Sequence, residues 1–257
     1  MLGALSGDII GSRFERHPIK STEFELFHPD CRYTDDSVLT VAVADHLVLG
    51  ADLIDLFKDY YHQYPEAGYG TGFIQWAASP SREPYHSFGN GSAMRVSPVG
   101  FAFDSLEEVL RQAKTTAEIT HNHPEGIKGA QATAAAVFLA RMGKSRREIR
   151  RFIESEFQYD LSQPLDALRP SYRFDASCQG SVPQAITAFL DSDSFEDAVR
   201  KAVSLGGDSD TQACIAGAIA HAFYGKLPDR IAAEVHSRLP VPLRQITTLF
   251  CNKYSCF

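Results

Sequence analysis

Gly126-Ile127-Lys128-Gly129-Ala130-Gln131-Ala132-Thr133-Ala134-Ala135-Ala136-Val137-Phe138-Leu139-Ala140-Arg141-Met142 carries a clear helical signal in an alanine-rich run. Its apolar residues return at three- and four-residue intervals, the period of a helix. Its alanines and glycines leave little side chain between this backbone and a neighbouring helix, so the segment suits the centre of a helical body. Ala213–Ala222 repeats that composition and adds Gly217, and a second central helix is expected there. Working outward, the same spacing recurs in Val38–Leu49, Leu53–Tyr61, Leu106–Ile119, Arg146–Phe157, Pro183–Leu190, Phe195–Val203, Ala213–Tyr224 and Arg230–Leu239. Asp52, Ser105, Ser145 and Ser194 stand where N-caps belong, and Gly50, Gly143 and Gly225 where helices stop. Strand signals are nearly absent. The polar stretches Gly68–Asn90 and Gln158–Cys178 read as long connections, of a length that is often functional. The expectation is an all-α protein forming a single domain over residues 1–257.

Composition narrows the function classes. A content of 44% hydrophobic and 22% charged residues over 257 positions is that of an ordinary soluble domain able to fold without staples. The net charge of −7, from 25 basic against 32 acidic residues, gives no general attraction to nucleic acid or anionic membrane. No apolar run approaches a membrane span, which leaves a small substrate as the default. The start Met1-Leu2-Gly3-Ala4-Leu5 lacks the positive region of a secretory signal, and Asp8 interrupts the apolar residues around Ile9-Ile10, so a cytoplasmic location is expected. The five cysteines, Cys31, Cys178, Cys214, Cys251 and Cys256, are odd in number and contain no CxxC. That pattern argues against a disulfide framework and a thiolate zinc site, and for buried apolar thiols.

Two acidic clusters, Thr34-Asp35-Asp36-Ser37 and Asp208-Ser209-Asp210-Thr211, lie near opposite ends of the chain, each at the start of an apolar helical segment. Each alone also fits a helix N-cap, because Ser, Thr and Asp are favoured there and the positive helix end favours acids. Two like-charged carboxylates about 4 Å apart repel by roughly 4 kcal/mol at an effective dielectric near 20, so bringing the clusters together calls for cations. The donors are hard oxygens without Cys or His, which favours Mg²⁺, Mn²⁺ or Ca²⁺ over zinc. Between the clusters, Ser87-Phe88-Gly89-Asn90-Gly91-Ser92-Ala93-Met94-Arg95 has glycine on both sides of Asn90 and can expose backbone amides to an anion, although a plain turn has the same signature.

The order of these motifs is more specific than any one of them. Gly3–Glu15, Tyr33–Ser37, Phe88–Arg95, Thr120-His121-Asn122-His123-Pro124 and Leu205–Thr211, with Cys178–Ala185 as an additional segment, make the chain resemble the ADP-ribosylglycohydrolase family over nearly its whole length. The resemblance implies an orthogonally packed helical bundle with two Mg²⁺ ions, or Mn²⁺, at the base of an ADP-ribose cleft. The implied metal ligands are Thr34, Asp35, Asp36, Asp208, Asp210 and Thr211. Glu15, with Asp36 and Asp208, is the implied catalytic set. Gly89, Asn90 and Gly91 would face the pyrophosphate or distal ribose, with Ser87, Phe88, Ser92 and Met94 as walls and His121 in the cleft. Asp8 fits a structural role, as a cap or orienting group. Arg95 is open between phosphate and a helix carboxylate, and Tyr69, Phe73 and Trp76 are open between an adenine border and core.

The activity so implied is a metal-dependent hydrolase that cleaves the glycosidic bond between ADP-ribose and a modified target, releasing ADP-ribose. Its partners are ADP-ribose and the ADP-ribosylated substrate. The alternatives are a non-catalytic ADP-ribose-binding or structural member and a two-metal phosphohydrolase. Ser87, three residues before Asn90 where arginine-directed relatives carry an acid, leaves the acceptor open among arginine, serine, nucleic acid and small conjugates.

Overall fold

In a computed structural model of the chain, residues 1–256 are described; Phe257, the last residue of the expected domain, lies outside them. The first helix, α1 (Leu2–Gly11), is buried along its whole length. After it come α2 (Asp35–Leu49), α3 (Leu53–Gln63), α4 (Thr71–Ala78), α5 (Gly91–Met94) and α6 (Ser97–Ala102). The middle of the chain forms α7 (Leu106–Glu118), α8 (Pro124–Arg141), α9 (Arg146–Phe157) and α10 (Leu165–Leu168). The last third forms α11 (Cys178–Leu190), α12 (Phe195–Val203), α13 (Ser209–Tyr224), α14 (Asp229–Arg238) and α15 (Val241–Tyr254). Among the described residues the β pairing consists of one isolated bridge, Gly89 with Ser177.

All nine helices expected from apolar spacing are present. Local chemistry explains their limits. Asp52 accepts from the Ile54 and Asp55 amides at the start of α3, and Ser145 forms a reciprocal capping box with Glu148 at the start of α9. Gly50 ends α2 in the left-handed region, where glycine avoids the Cβ clash. α11 begins five residues before Pro183, because Ser177 caps it by accepting from Gly180 N–H and the helix tolerates the proline inside it. α4 and α10 lie in the two stretches expected as bare connections, and α1 and α15 were not expected. α1 has neither a polar face nor a side-chain cap, so it lacks the contrast on which periodicity depends.

α13 and α8 occupy the centre, as their composition implied. α13 is buried from Ser209 to His221 and packs against α1, α12, α11 and α8. α1 runs antiparallel to it: Gly3 abuts Gly217, Gly7 abuts Ala213, and Gly11 abuts Ser209. A Cβ added at Gly7 would lie 1.9 Å from the Ala213 carbonyl oxygen, so this approach requires glycine. The arrangement has a positional consequence. The C-terminal end of α1, which leads into Glu15, is delivered to the N-terminal end of α13, which begins at the second acidic cluster. All five cysteines are free and buried. No helix among the described residues is long and apolar enough to cross a membrane.

Candidate active site

Thr34 and Asp208 occupy the N-cap positions of α2 and α13, but only Thr34 caps with its side chain, accepting from Asp36 N–H; the Asp208 side chain makes no capping hydrogen bond. The fold brings both helix ends to one cavity of about 350 Å³, within the size range of small-molecule sites. Thr34, Asp35, Asp36, Asp208, Asp210, Thr211 and Glu15 all line it. Thr211 Oγ1 donates to Asp36 Oδ2 at 3.5 Å, directly linking segments 175 residues apart.

Each cluster is held in place by a different group. Asp8, buried in α1, accepts at its carboxylate from Thr34 N–H (3.0 Å), Thr34 Oγ1 (2.6 Å), Ser37 N–H (3.1 Å) and the Ser37 hydroxyl. It therefore orients the start of α2. Asn90 performs the corresponding task for α13: its Nδ2 donates to Asp208 Oδ2 at 2.8 Å and contacts Ser181 Oγ at 3.2 Å. Its side chain is thus tied to the acidic centre, a role beyond the substrate contact expected of the loop.

The carboxylates are strained electrostatically. Burial, with neighbouring negative charge, raises Asp35 to about 8, and burial raises Asp8 to about 6 against the hydrogen bonds that favour its charged form. Burial also holds Asp36 and Asp210 well above the usual carboxylate range, and raises Asp208 and Glu15; the Asp208 charge adds to the rise of Asp36, Asp210 and Glu15. Asp36 Oδ1 is buried without a hydrogen-bond partner. Among the described residues no three His, Cys, Asp or Glu side chains are gathered as a ready metal-ligand group. The donors available are instead spread over two helix ends and include two threonine hydroxyls.

Ser87, Gly89, Asn90, Gly91, Met94 and His121 also line the cavity. Two loop amides are already engaged: Gly89 N–H donates to Ser87 Oγ at 3.1 Å and Asn90 N–H to Ala176 O at 2.8 Å. The amides this turn offers a ligand therefore begin at Gly91. Phe88 and Ser92 stand outside the lining. The half-exposed Phe88 ring lies 5.5 Å from that of His123, and buried Ser92 donates to Gly126 O at 2.7 Å. The alternation of directions along a tight turn sends neighbouring side chains to different surroundings, which spacing alone does not reveal.

Arg95 borders the cavity but is buried and not paired with a carboxylate: it donates to Thr116 O and Thr120 Oγ1 and stacks over Phe57 at 4.3 Å. Of the aromatic trio, Phe73 lines the cavity, stacked 5.2 Å from Tyr69, while Tyr69 and Trp76 are core. His123 caps α8. Several lining residues escaped sequence reasoning: Arg16, Arg32, Ala67, Gly68, Tyr85, Phe174 and Ala176. The length of the Gly68–Asn90 and Gln158–Cys178 connections was the only signal for the last four of these segments, since both supply cavity wall.

The ADP-ribosylglycohydrolase family model matches residues 1–252. The chain is 30% identical to ADP-ribosylhydrolase ARH3 of Mus musculus, over 88% of this chain and 82% of that protein. It is 29% identical to ADP-ribosylhydrolase ARH3 of Homo sapiens, over 88% and 84%. A solved structure, described as an ADP-ribosylglycohydrolase-related protein complex, superposes with a TM-score of 0.74 at 23% identity, covering 99% of this chain and 96% of that one, which is a likeness of fold.

Proposed function

The chain belongs to the ADP-ribosylglycohydrolase family, and from that premise we propose that it is a metal-dependent hydrolase cleaving the glycosidic bond between ADP-ribose and a modified acceptor. The observation that carries this reading is the meeting of Glu15 and two distant acidic helix starts along one cavity whose other wall is Gly89, Gly91 and His121. The acids would lie at the ribose end and the polar turn at the pyrophosphate.

The donor set fits hard divalent cations. Thr34, Asp35, Asp36, Asp208, Asp210 and Thr211 supply only oxygen, and the unpartnered Asp36 Oδ1 is a buried acceptor awaiting a positive charge. They would hold two Mg²⁺ ions, with Mn²⁺ as the alternative. Such ions, when bound, neutralise the clustered charge, orient hydroxyls and lower the pKa of water. The protein's own part is positional and acid–base. Asp8 and Asn90 hold the two helix starts in place, so the ligands are preorganised before substrate arrives. Glu15, half-buried and raised by burial and by Asp208, is set to accept the proton of the attacking water. The glycosidic bond breaks through an oxocarbenium-like state, its electrons leaving with the acceptor atom.

A binding-only role fits poorly, because a protein without catalysis has little physical reason to keep this much buried like charge. Product analysis tests the proposal: wild-type protein in Mg²⁺ should release free ADP-ribose from at least one ADP-ribosylated acceptor. Glu15→Gln should lower that rate about 10²–10⁴-fold, the range of a lost general base. AMP or inorganic phosphate as the product, or no product from arginine-, serine- or nucleic-acid-linked substrates, would overturn it.

A further inference from the structure

Outside the acidic centre runs a chain of buried polar groups, Arg95, Thr120 and His121, of which Arg95 and His121 border the cavity. The Arg95 guanidinium is 1% exposed, and its Nε and Nη1 have no partner. Nη2 donates to Thr116 O at 3.2 Å and to Thr120 Oγ1 at 2.8 Å. A guanidinium only donates, so the Thr120 oxygen is here an acceptor, and its single hydrogen is free for another group. His121 Nδ1 lies 2.7 Å from the same oxygen.

The direction of that second bond follows. A cation already donating into the hydroxyl oxygen depletes it of electron density and strengthens the hydroxyl as a donor. Nδ1 is then the acceptor, and the ring hydrogen of neutral His121 resides on Nε2. Burial, with the Arg95 charge beside it, holds His121 well below its ordinary pKa, which keeps the ring neutral. Nε2 faces the turn: it lies 3.1 Å from where Gly91 would carry a Cβ, and 3.7 Å from that position at Gly89.

We propose that Arg95 and Thr120 are positioning residues that lock His121 as the Nε2–H tautomer, presenting one N–H donor beside Gly89–Gly91 to an anionic oxygen of the ADP-ribose moiety. The proposal rests on the cavity being an ADP-ribose site. In the opposite tautomer Nε2 would turn a lone pair toward that oxygen, replacing attraction with repulsion. The buried positive charge of Arg95, unmatched by a carboxylate, acts in the same direction by favouring an anion in the adjoining space.

The test combines ¹⁵N-histidine NMR of the ligand-free protein with calorimetry of ADP-ribose in Mg²⁺. In wild type, the His121 signals, assigned by their loss in His121→Gln, should report a protonated Nε2 and an unprotonated Nδ1. Thr120→Val, similar in volume, should yield a mixture of tautomers and raise the ADP-ribose Kd about tenfold, which corresponds to about 1.4 kcal/mol. Thr120→Ser, which keeps the hydroxyl, should restore both. A purely structural role would weaken binding without moving the tautomer. A wild-type ring protonated on Nδ1 overturns the proposal whatever the variants do, as does Thr120→Val with wild-type tautomer and Kd. If Thr120→Val fails to fold, the wild-type spectrum and the Thr120→Ser pair decide it. Absence of ADP-ribose binding to wild type would instead overturn the substrate reading, leaving the tautomer to the ligand-free spectrum.

Discussion

Along the seam between α1 and α13, Gly3, Gly7 and Gly11 press against the partner backbone with no room for a methyl group. At the end of the same seam, Asp208 and Asp210 on α13 and Glu15 beyond α1 border open space, with carboxylates pushed up by burial and an unpartnered Asp36 oxygen. Both regions belong to the same helix pair, yet the first spends its tolerance on packing and the second withholds satisfaction from its polar groups. The contrast teaches how buried like charge survives: helices clamped this tightly cannot splay apart to relieve it.

The largest effect should come from breaking the seam. Gly7→Val meets the Ala213 carbonyl and the Cys214 amide, both backbone, so neither can rotate away. Overpacking costs typically 1–3 kcal/mol, and a backbone clash should exceed that, a large share of the 5–15 kcal/mol of a typical domain. Gly70→Ala, on the cavity side with nothing within 4 Å of the added Cβ, should leave the denaturant midpoint within about 0.5 kcal/mol of wild type. Equal midpoints for the two variants would abolish the distinction between the regions.

Next is Asp208→Asn, which removes charge from the cavity and leaves the seam alone. On the proposed reading of Asp208 as a metal ligand, turnover should fall by about 10²-fold, the upper range for losing even an outer partner of a metal site. In EDTA its Tm should equal or exceed that of wild type, because one member of a repelling set is gone. A Tm several degrees lower in EDTA would mean that Asp208 serves packing more than chemistry.

The smallest effect is the pH dependence of the metal-free protein. Asp8 and Asp35 have folded pKa values of about 6 and about 8, both above the roughly 3.9 of an unfolded aspartate. Below about pH 4 both states hold these protons, and the relative stabilisation is fully present. As pH rises the unfolded chain releases them first, so stability in EDTA should decline until the folded groups ionise, by about pH 8. Divalent ions need the ionised ligands, so the Tm increase on adding Mg²⁺ should grow over the same interval. A melting curve in EDTA that strengthens from about pH 5 to 8 would contradict the buried charge on which the comparison depends.

The helices most legible in the sequence are those with contrast between faces. α9 and α12 carry apolar stripes and serine caps, and their expected limits match the structure. α1, buried on every side, had no such contrast and was missed although it forms the seam. Among the site groups, the acidic residues stood out because hydroxyl and carboxylate side chains recur at two helix starts. The cavity wall from Arg16, Arg32, Tyr85 and Phe174 had no comparable pattern.

Helical periodicity, caps and the ordered motifs are local or linear properties, and the sequence by itself determined them: an all-α chain, its principal helices, and two acidic helix starts of the right chemistry for hard cations. Tertiary structure alone decided that Thr211 reaches Asp36, that Asn90 holds Asp208, that Phe88 and Ser92 stand away from the cavity, and that Arg95 reaches Thr120 and, through it, His121. The physical reason is that a side chain's direction is set by the surface its helix or turn is pressed against, and that surface is contributed by residues far away in the chain.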